Sequence, residues 1–464
     1  MKKASVGGLT ALGFLSLLLI SHSGPEHPLP SSGMQSTTSL YLPVVVRSFN
    51  PGWRSPLGIT MYGPVNEAEG LTAMREAGAR WVVTVLSWAA VEPQRGQRDW
   101  TFFDEKVRNA QAAGMQVFVL FHDNPAWAAA HPSGPVTDTQ DLLNFLTAAV
   151  ERYDGDGVND APGSPRVAAW SFYAEPDAGD PAHYPWKGHW GQRPEDYARM
   201  LKQAAEIIHG EDPQAWVTNG GLAYDWFQEN GGPFVRTFLT DTLRALNDMG
   251  GARRYLNAVA VHYYPISGDR WPTIREKLRE IRGIMERHGV GDLPIVVPEM
   301  GFWSGAGSNE DLQARRLVQM FIRGWAEGAP FMAWFAVFDH GPDTEAHGLF
   351  RDHDLNQPKP AYYAYRTLAQ ELFQASYVGS INVPGVEGYI FQMPGGIPKT
   401  VIWGASEERA EVDFSHPCLD LTTYRGEHAS IRDGDVNRDG DKQINGRIRL
   451  IIYPGELFYV APCR

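Results

Sequence analysis

Two acidic residues stand where two apolar runs stop. Glu175 follows Ala168-Ala169-Trp170-Ser171-Phe172-Tyr173-Ala174 and precedes Pro176-Asp177. Glu299 follows Pro294-Ile295-Val296-Val297-Pro298 and precedes Met300-Gly301-Phe302-Trp303. Each run is strand-like, and each acid opens a stretch of turn residues. Cleaving a glycosidic bond with retention needs one carboxyl group to give and take a proton. It needs a second, ionised, to attack the anomeric carbon from the other side. Two acids at strand ends are of the right type for that work, provided that the fold makes them face each other.

The elements that must hold them alternate. Strand-like runs fall at 57–62, 81–86, 116–121, 167–173, 215–218, 258–263, 295–298 and 332–338. Helical periods fall between them at 67–77, 103–113, 142–153, 194–209, 274–288 and 310–328. Strands alternating with amphipathic helices predict parallel strands, and eight units predict a closed α/β (β/α)8 TIM barrel over 51–374. A doubly wound open sheet is the other option, and the first strand lacks the Gly-rich phosphate loop such a sheet would carry. In the barrel, Glu175 ends strand four and Glu299 ends strand seven, both at the face where barrel chemistry is found. Past Gln374 the helical period disappears, and residues 375–464 read as a small C-terminal all-β domain.

The rest of the chain narrows the function class. With 464 residues, 43% hydrophobic and 20% charged, it is an ordinary globular composition. A net charge of −13 without a basic cluster excludes nucleic acid as an expected partner. Lys2 and Lys3 precede an apolar stretch, 6–20, which predicts a signal peptide over 1–23 and a secreted or cell-surface protein without stable membrane insertion. Residues 24–50 read as a Pro/Ser/Thr-rich linker with a short leading strand at 41–47. The only cysteines, Cys418 and Cys463, are expected to pair as a disulfide in an exported chain.

The motifs around the strand ends resemble clan A of the glycoside hydrolases, over roughly residues 57–372, and most nearly its secreted bacterial β-xylosidase and endoglycosidase types. Besides the two glutamates, the matching stretches are Trp88 with Val91-Glu92-Pro93, Asn124-Pro125-Ala126-Trp127, His262-Tyr263-Tyr264-Pro265, Trp334, and Lys359-Pro360-Ala361-Tyr362-Tyr363-Ala364-Tyr365. The resemblance implies a retaining hydrolase that needs no cofactor or metal, with Glu175 as general acid/base and Glu299 as nucleophile. Tyr264 or Tyr263 would orient the nucleophile, and His262 would contact Glu175 or a sugar hydroxyl; a core histidine is the alternative. Trp127, Trp226, Trp303 and Trp334 would line the carbohydrate cleft, with Trp303 and Trp334 foremost. Trp186 and Trp190 would wall the leaving-group side, and Trp170 would fill the core.

Two positions depart from the clan. Ala174 stands where an asparagine normally contacts the sugar 2-hydroxyl, and Val83 stands near the place of a strand-two arginine that supports the nucleophile. His122 and Asn219 are candidate replacement donors. These departures support an alternative: a non-catalytic carbohydrate-binding protein on a degenerate barrel. A last motif, Asp435-x-Asn437-x-Asp439-Gly440, resembles the start of a calcium loop. Its twelfth position is Gly446 and β-like sequence follows, so a solvated hairpin turn is the expectation.

Overall fold

Eight short parallel strands form the centre of the molecule, as the alternating pattern requires. In the computed structural model the described residues are 55–463, apart from 180–181, 183–187, 266–270, 306 and 341–345. The signal segment, the linker with its leading strand, and Trp186 lie outside them. The barrel strands are β1 (Leu57–Thr60), β2 (Trp81–Ser87), β3 (Gln116–His122), β4 (Ala169–Phe172), β5 (Trp216–Asn219), β6 (Val259–Tyr263), β7 (Ile295–Met300) and β8 (Met332–Trp334). Their order is β5-β4-β3-β2-β1-β8-β7-β6, and the bridges Thr218–Ala258 and Leu222–Val261 close the ring between β5 and β6.

Side chains fill the lumen as a packed layer: Trp81, Val83, Phe118, Ala169, Ala258, Ala260, Val296, Phe331 and Ala333. Val83, expected near the place of the clan arginine, is one of them. The outward set, including Val82, Val117, Trp170, Val217 and Val297, packs against the helices. Trp170 is core filler, as expected.

The helices are α1 (Leu71–Glu76), α2 (Trp88–Val91), α3 (Thr101–Ala112), α4 (Thr139–Arg152), α5 (Pro194–Glu211), α6 (Phe238–Asp248), α7 (Ala252–Tyr255), α8 (Ile274–Arg287), α9 (Glu310–Ala326) and α10 (Pro360–Glu371). Their starts are written locally. Asp138 and Asn309 cap α4 and α9 by accepting N–H groups of Gln140 and Leu312, and proline opens α5 and α10. The first helix is shorter than its apolar period, because Gly70 at φ 88 closes a separate turn onto Glu67 O and only then does α1 begin. Helix α6 was not anticipated, although Phe238, Leu239, Thr242, Leu243 and Leu246 give it a buried stripe at helical spacing.

Beyond α10 the chain is all β, with β9 (Ser376–Val383), β10 (Val386–Gln392), β11 (Pro398–Gly404), β12 (Ala410–Phe414), β13 (Cys418–Thr423), β14 (His428–Arg432), β15 (Ile448–Ile452) and β16 (Leu457–Pro462). Six of them form an antiparallel sheet, β14-β13-β16-β11-β10-β9, and β12 pairs with β15. This sheet packs against the barrel helices: Arg323 of α9 grips Glu387 of β10 at 2.9 and 2.5 Å, and Arg275 of α8 adds a contact at 2.9 Å. Cys418 and Cys463 are joined in a disulfide with Cα atoms 5.4 Å apart, linking β13 to the residue after its neighbour β16.

The acidic loop between β14 and β15 is not a hairpin turn. Strand β15 pairs with β12 instead of β14, so the loop crosses from one sheet to the other. Its carboxylates hold that crossing: Asp435 accepts from the N–H groups of Asn437 and Arg438, and buried Asp439 accepts from those of Gly434 and Arg449. Among the described residues no helix is long and apolar enough to cross a membrane.

Candidate active site

Glu299 reaches the barrel mouth through a break in the alternation of β7. Val296 faces the lumen, so a regular strand would turn Pro298 inward and Glu299 out. Ladder partners run from Ala260 with Val296 to His262 with Glu299, so β7 advances three residues while β6 advances two. The extra residue is a bulge, and it re-aims the carboxylate inward. Pro298, which has no N–H to give a ladder, is a residue such a break tolerates.

Glu175 arrives by a different route. Strand β4 ends at Phe172, and both Tyr173 (φ 61) and Glu175 (φ 48) adopt left-handed backbone. Strained conformations of this kind persist where surrounding contacts over-determine them. Here the Glu175 N–H donates to Gly221 O at 3.0 Å, and the Tyr173 hydroxyl donates to Asn124 Oδ1 at 2.8 Å. Gly221 is required at this point: a Cβ there would lie 2.1 Å from His262 Nε2.

His262 brings the two acids together. Its Nδ1 lies 3.2 Å from Glu175 Oε1 and 3.7 Å from Glu299 Oε1. Donor atoms of Glu175, His262 and Glu299 all fall within 4.8 Å of one another. Glu299 is held from both sides, since the Tyr264 hydroxyl donates to Oε1 at 2.8 Å and the Tyr62 hydroxyl donates to Oε2. Burial, and then the Glu299 charge, push both phenols well above their usual range, so they stay protonated donors. Of the two tyrosines considered for this task, Tyr263 is excluded by strand alternation. It points outward, and its hydroxyl approaches Trp271 O.

Behind Glu175, Asp177 is fully buried and accepts N–H groups of Ala223 and Tyr224 at 3.1 and 2.7 Å. Burial, helped by the nearby Glu175 charge, raises its carboxyl to about 6 against those two hydrogen bonds. Asp177 thus fastens the loop after β5 that carries Gly221.

Asn219 and Trp334 are placed differently from expectation. Asn219 does not offer its amide to the mouth: Nδ2 donates to Ala260 O at 2.8 Å and Oδ1 accepts from Ala260 N at 3.0 Å, stitching the β5–β6 seam. Trp334 is fully buried, with Nε1 donating to His347 O, so it is not a cleft platform. Its neighbour Phe335 is half-buried, and its ring stands 5.9 Å from Tyr62 and 6.2 Å from Tyr264, the two tyrosines on Glu299. Trp303 stacks on Phe302 at 5.0 Å and meets His347 edge-on.

Trp127 donates to Glu92 O, with Arg95 over its ring. Trp190 is buried between Tyr173 and Tyr197. Trp226 is 49% exposed on the loop after β5. His122 ends β3 and is tied to Asp123 Oδ1 at 2.6 Å. Sequence reading missed Tyr62 and Phe335. Both lay within runs read as strands, 57–62 and 332–338, whereas β1 stops at Thr60 and β8 at Trp334, so a tyrosine ending the first run was the available signal.

Among the described residues a second group with metal-ligand spacing is Asp154, Asp156 and Asp160. It lies between α4 and β4, at the end of the barrel opposite the glutamates. Its carboxylates accept the loop's own N–H groups, from Asp156, Val158 and Gly157.

The comparisons with known proteins bear on the fold. The glycoside hydrolase family 42 model, described as β-galactosidase, matches residues 66–147. No curated protein sequence matches. Among solved structures, a family 39 glycoside hydrolase from the gut symbiont Bacteroides cellulosilyticus WH2 is similar with TM-score 0.65 and 20% identity, covering 88% of this chain and 81% of that one. A glucosidase from Croceicoccus marinus gives 0.60 and 15%, covering 88% and 96%. A monomeric β-xylosidase from Caulobacter crescentus CB15 gives 0.57 and 13%, covering 89% and 97%. At these identities the likeness is one of fold. The chain resembles the clan A glycoside hydrolases, as its motifs imply.

Proposed function

We propose that this protein is a secreted retaining glycoside hydrolase acting on a polysaccharide or its oligosaccharides, with Glu175 as general acid/base and Glu299 as nucleophile. One observation carries the reading: one carboxylate oxygen of Glu175 lies within 4.8 Å of one of Glu299, past the carboxyl end of β4 and at that of β7. Retaining enzymes hold their carboxyl groups about 5–5.5 Å apart, and inverting ones about 6.5–9.5 Å apart to admit a water.

In this mechanism the Glu299 carboxylate attacks the anomeric carbon as Glu175 delivers its proton to the departing glycosidic oxygen. A glycosyl ester on Glu299 and a free aglycone result. Glu175, now ionised, takes a proton from water, whose oxygen attacks the same carbon and releases Glu299. Tyr62 and Tyr264 keep the attacking carboxylate in one orientation throughout. His262, carrying its proton on Nδ1, donates towards Glu175 and steadies the acid when it is ionised. Phe335 offers a ring face for the sugar bound between the acids. The Cys418–Cys463 disulfide supports export, as does the charged-then-apolar amino terminus.

The second reading, a carbohydrate-binding protein without turnover, is favoured by one specific feature. Asn219 is committed to the seam, and Ala174 leaves the position of the clan's asparagine without an amide.

The deciding experiment is a panel of plant and microbial glycans and aryl glycosides, with Glu299→Gln as control and the anomeric configuration of the product read by NMR. Hydrolysis with retention, lost in the variant, is the expected result. Glycan binding without release, unchanged by Glu175→Gln, would establish the binding protein instead.

A further inference from the structure

We infer that Tyr62 and Lys106 form a positioning pair that takes over the task of the absent strand-two arginine. This deepens the reading above and rests on Glu299 being the nucleophile. Tyr62 lies two residues beyond β1 and gives its hydroxyl to Glu299 Oε2, the oxygen that Tyr264 does not hold. Its backbone is fixed from below. Lys106, on α3, is 3% exposed and donates from Nζ to Tyr62 O at 2.8 Å and to Val85 O at 3.1 Å. The amine therefore ties the chain just past β1 to β2 directly behind the nucleophile's second support.

Lys106 is a costly group to keep there. A buried ammonium is normally paired, yet among the described residues Lys106 makes no ion pair; its Nζ meets two carbonyl oxygens and stands 4.9 Å over the Phe102 ring. Burial lowers its pKa to about 8. An apolar residue in α3 would pack the same space without that penalty, but nothing would then fix the Tyr62 carbonyl. At the place where the clan carries its arginine, Val83 belongs to the lumen layer. The support for Glu299 thus comes from two neutral phenols, one of them set by a lysine that never touches the acid.

The test is steady-state kinetics of the full chain on a glycoside that the parent hydrolyses, for Y62F, K106M, K106R and the Y62F/K106M double variant. A hydrogen bond to an ionised group is worth about 1.5–3 kcal/mol, so Y62F should lower kcat by about 10–100-fold. KM should stay within about threefold, because the bond is made to the nucleophile and not to the sugar. K106M should lower kcat in the same direction, and the double variant should be no worse than Y62F, since Lys106 acts through Tyr62. K106R, which keeps the donors, should retain more of kcat than K106M.

An unchanged kcat in folded Y62F would overturn the inference, as would losses that multiply in the double variant. A second measurement needs no substrate: thermal unfolding of Y62F, E299A and their double variant. Non-additive shifts in Tm are expected, and additive shifts would show that Tyr62 does not hold Glu299. If the parent releases no sugar at all, the hydrolase reading falls. The unfolding cycle still decides the contact.

Discussion

His262 and Glu299 are ladder partners across β6 and β7, and the imidazole Nδ1 stands 3.7 Å from the Glu299 carboxylate while reaching Glu175 at 3.2 Å. One ring on one strand therefore sets the spacing of two acids that lie 299 − 175 = 124 residues apart in the chain. At Gly221 the chain passes so near the ring's Nε2 edge that no side chain would fit.

Gly221→Ala should dislodge that ring. Its new Cβ would meet Nε2 at 2.1 Å and Cδ2 at 2.2 Å, far inside contact distance. We expect turnover to fall by about 100-fold or more, since misplacing a catalytic group by about 1 Å costs that much. Wild-type kcat in a folded Gly221→Ala protein would show that His262 does not set the geometry.

Removing the proton donor should separate substrates by leaving group. Glu175→Gln is expected to cut turnover of unactivated glycosides by about 10²–10⁴-fold. Aryl glycosides with acidic phenols, which leave without protonation, should lose much less in the glycosylation step. Equal losses on both kinds of substrate would remove Glu175 from the acid role.

Tyr264→Phe deletes the 2.8 Å hydrogen bond to Glu299 Oε1. At about 1.5–3 kcal/mol for a bond to an ionised acceptor, kcat should drop by about 10–100-fold. Steady-state kinetics at saturating substrate read this directly, and a change confined to KM would place Tyr264 on the sugar instead.

Asp177 predicts a slope in stability against pH. Burial raises its folded-state pKa to about 6, while the unfolded chain titrates near about 3.9. The folded protein therefore binds the proton more tightly. That stabilisation is complete below about pH 4 and is lost as the pH rises through about 6, a change of about 3 kcal/mol. Asp177→Asn cannot titrate, so urea unfolding between pH 4 and 7 should lack this part of the slope. Parallel curves for the two proteins would place the titration elsewhere.

Reduction of the Cys418–Cys463 bond frees a 45-residue loop. The Cys418→Ser/Cys463→Ser protein should lose about 3–4 kcal/mol in the chain-entropy account. Its turnover at 25 °C should remain, because the bond joins β13 to the end of β16 and none of the residues around Glu175 and Glu299 comes from that region. A turnover loss matching that of Glu299→Gln would tie the β region to catalysis.

The sequence by itself determined the eight strands, the helices that follow most of them, and the change to β structure after α10. Apolar period and turn residues are local properties, so they survive without knowledge of partners. It also marked Glu175, Glu299, His262 and Tyr264 as candidates, since an acid or a ring at a strand end is visible in one dimension. What it could not contain was direction. Alternation along β7 would send Glu299 outward, and only the bulge against β6 turns it in. The same holds for Asn219, whose amide is taken up by the β5–β6 seam, and for Trp334, buried while Phe335 lies beside Tyr62 and Tyr264. Tyr62 meets Glu299 across 299 − 62 = 237 residues. That contact exists only because β1 and β7 flank β8 in a closed ring, and ring closure is a property of the tertiary structure alone.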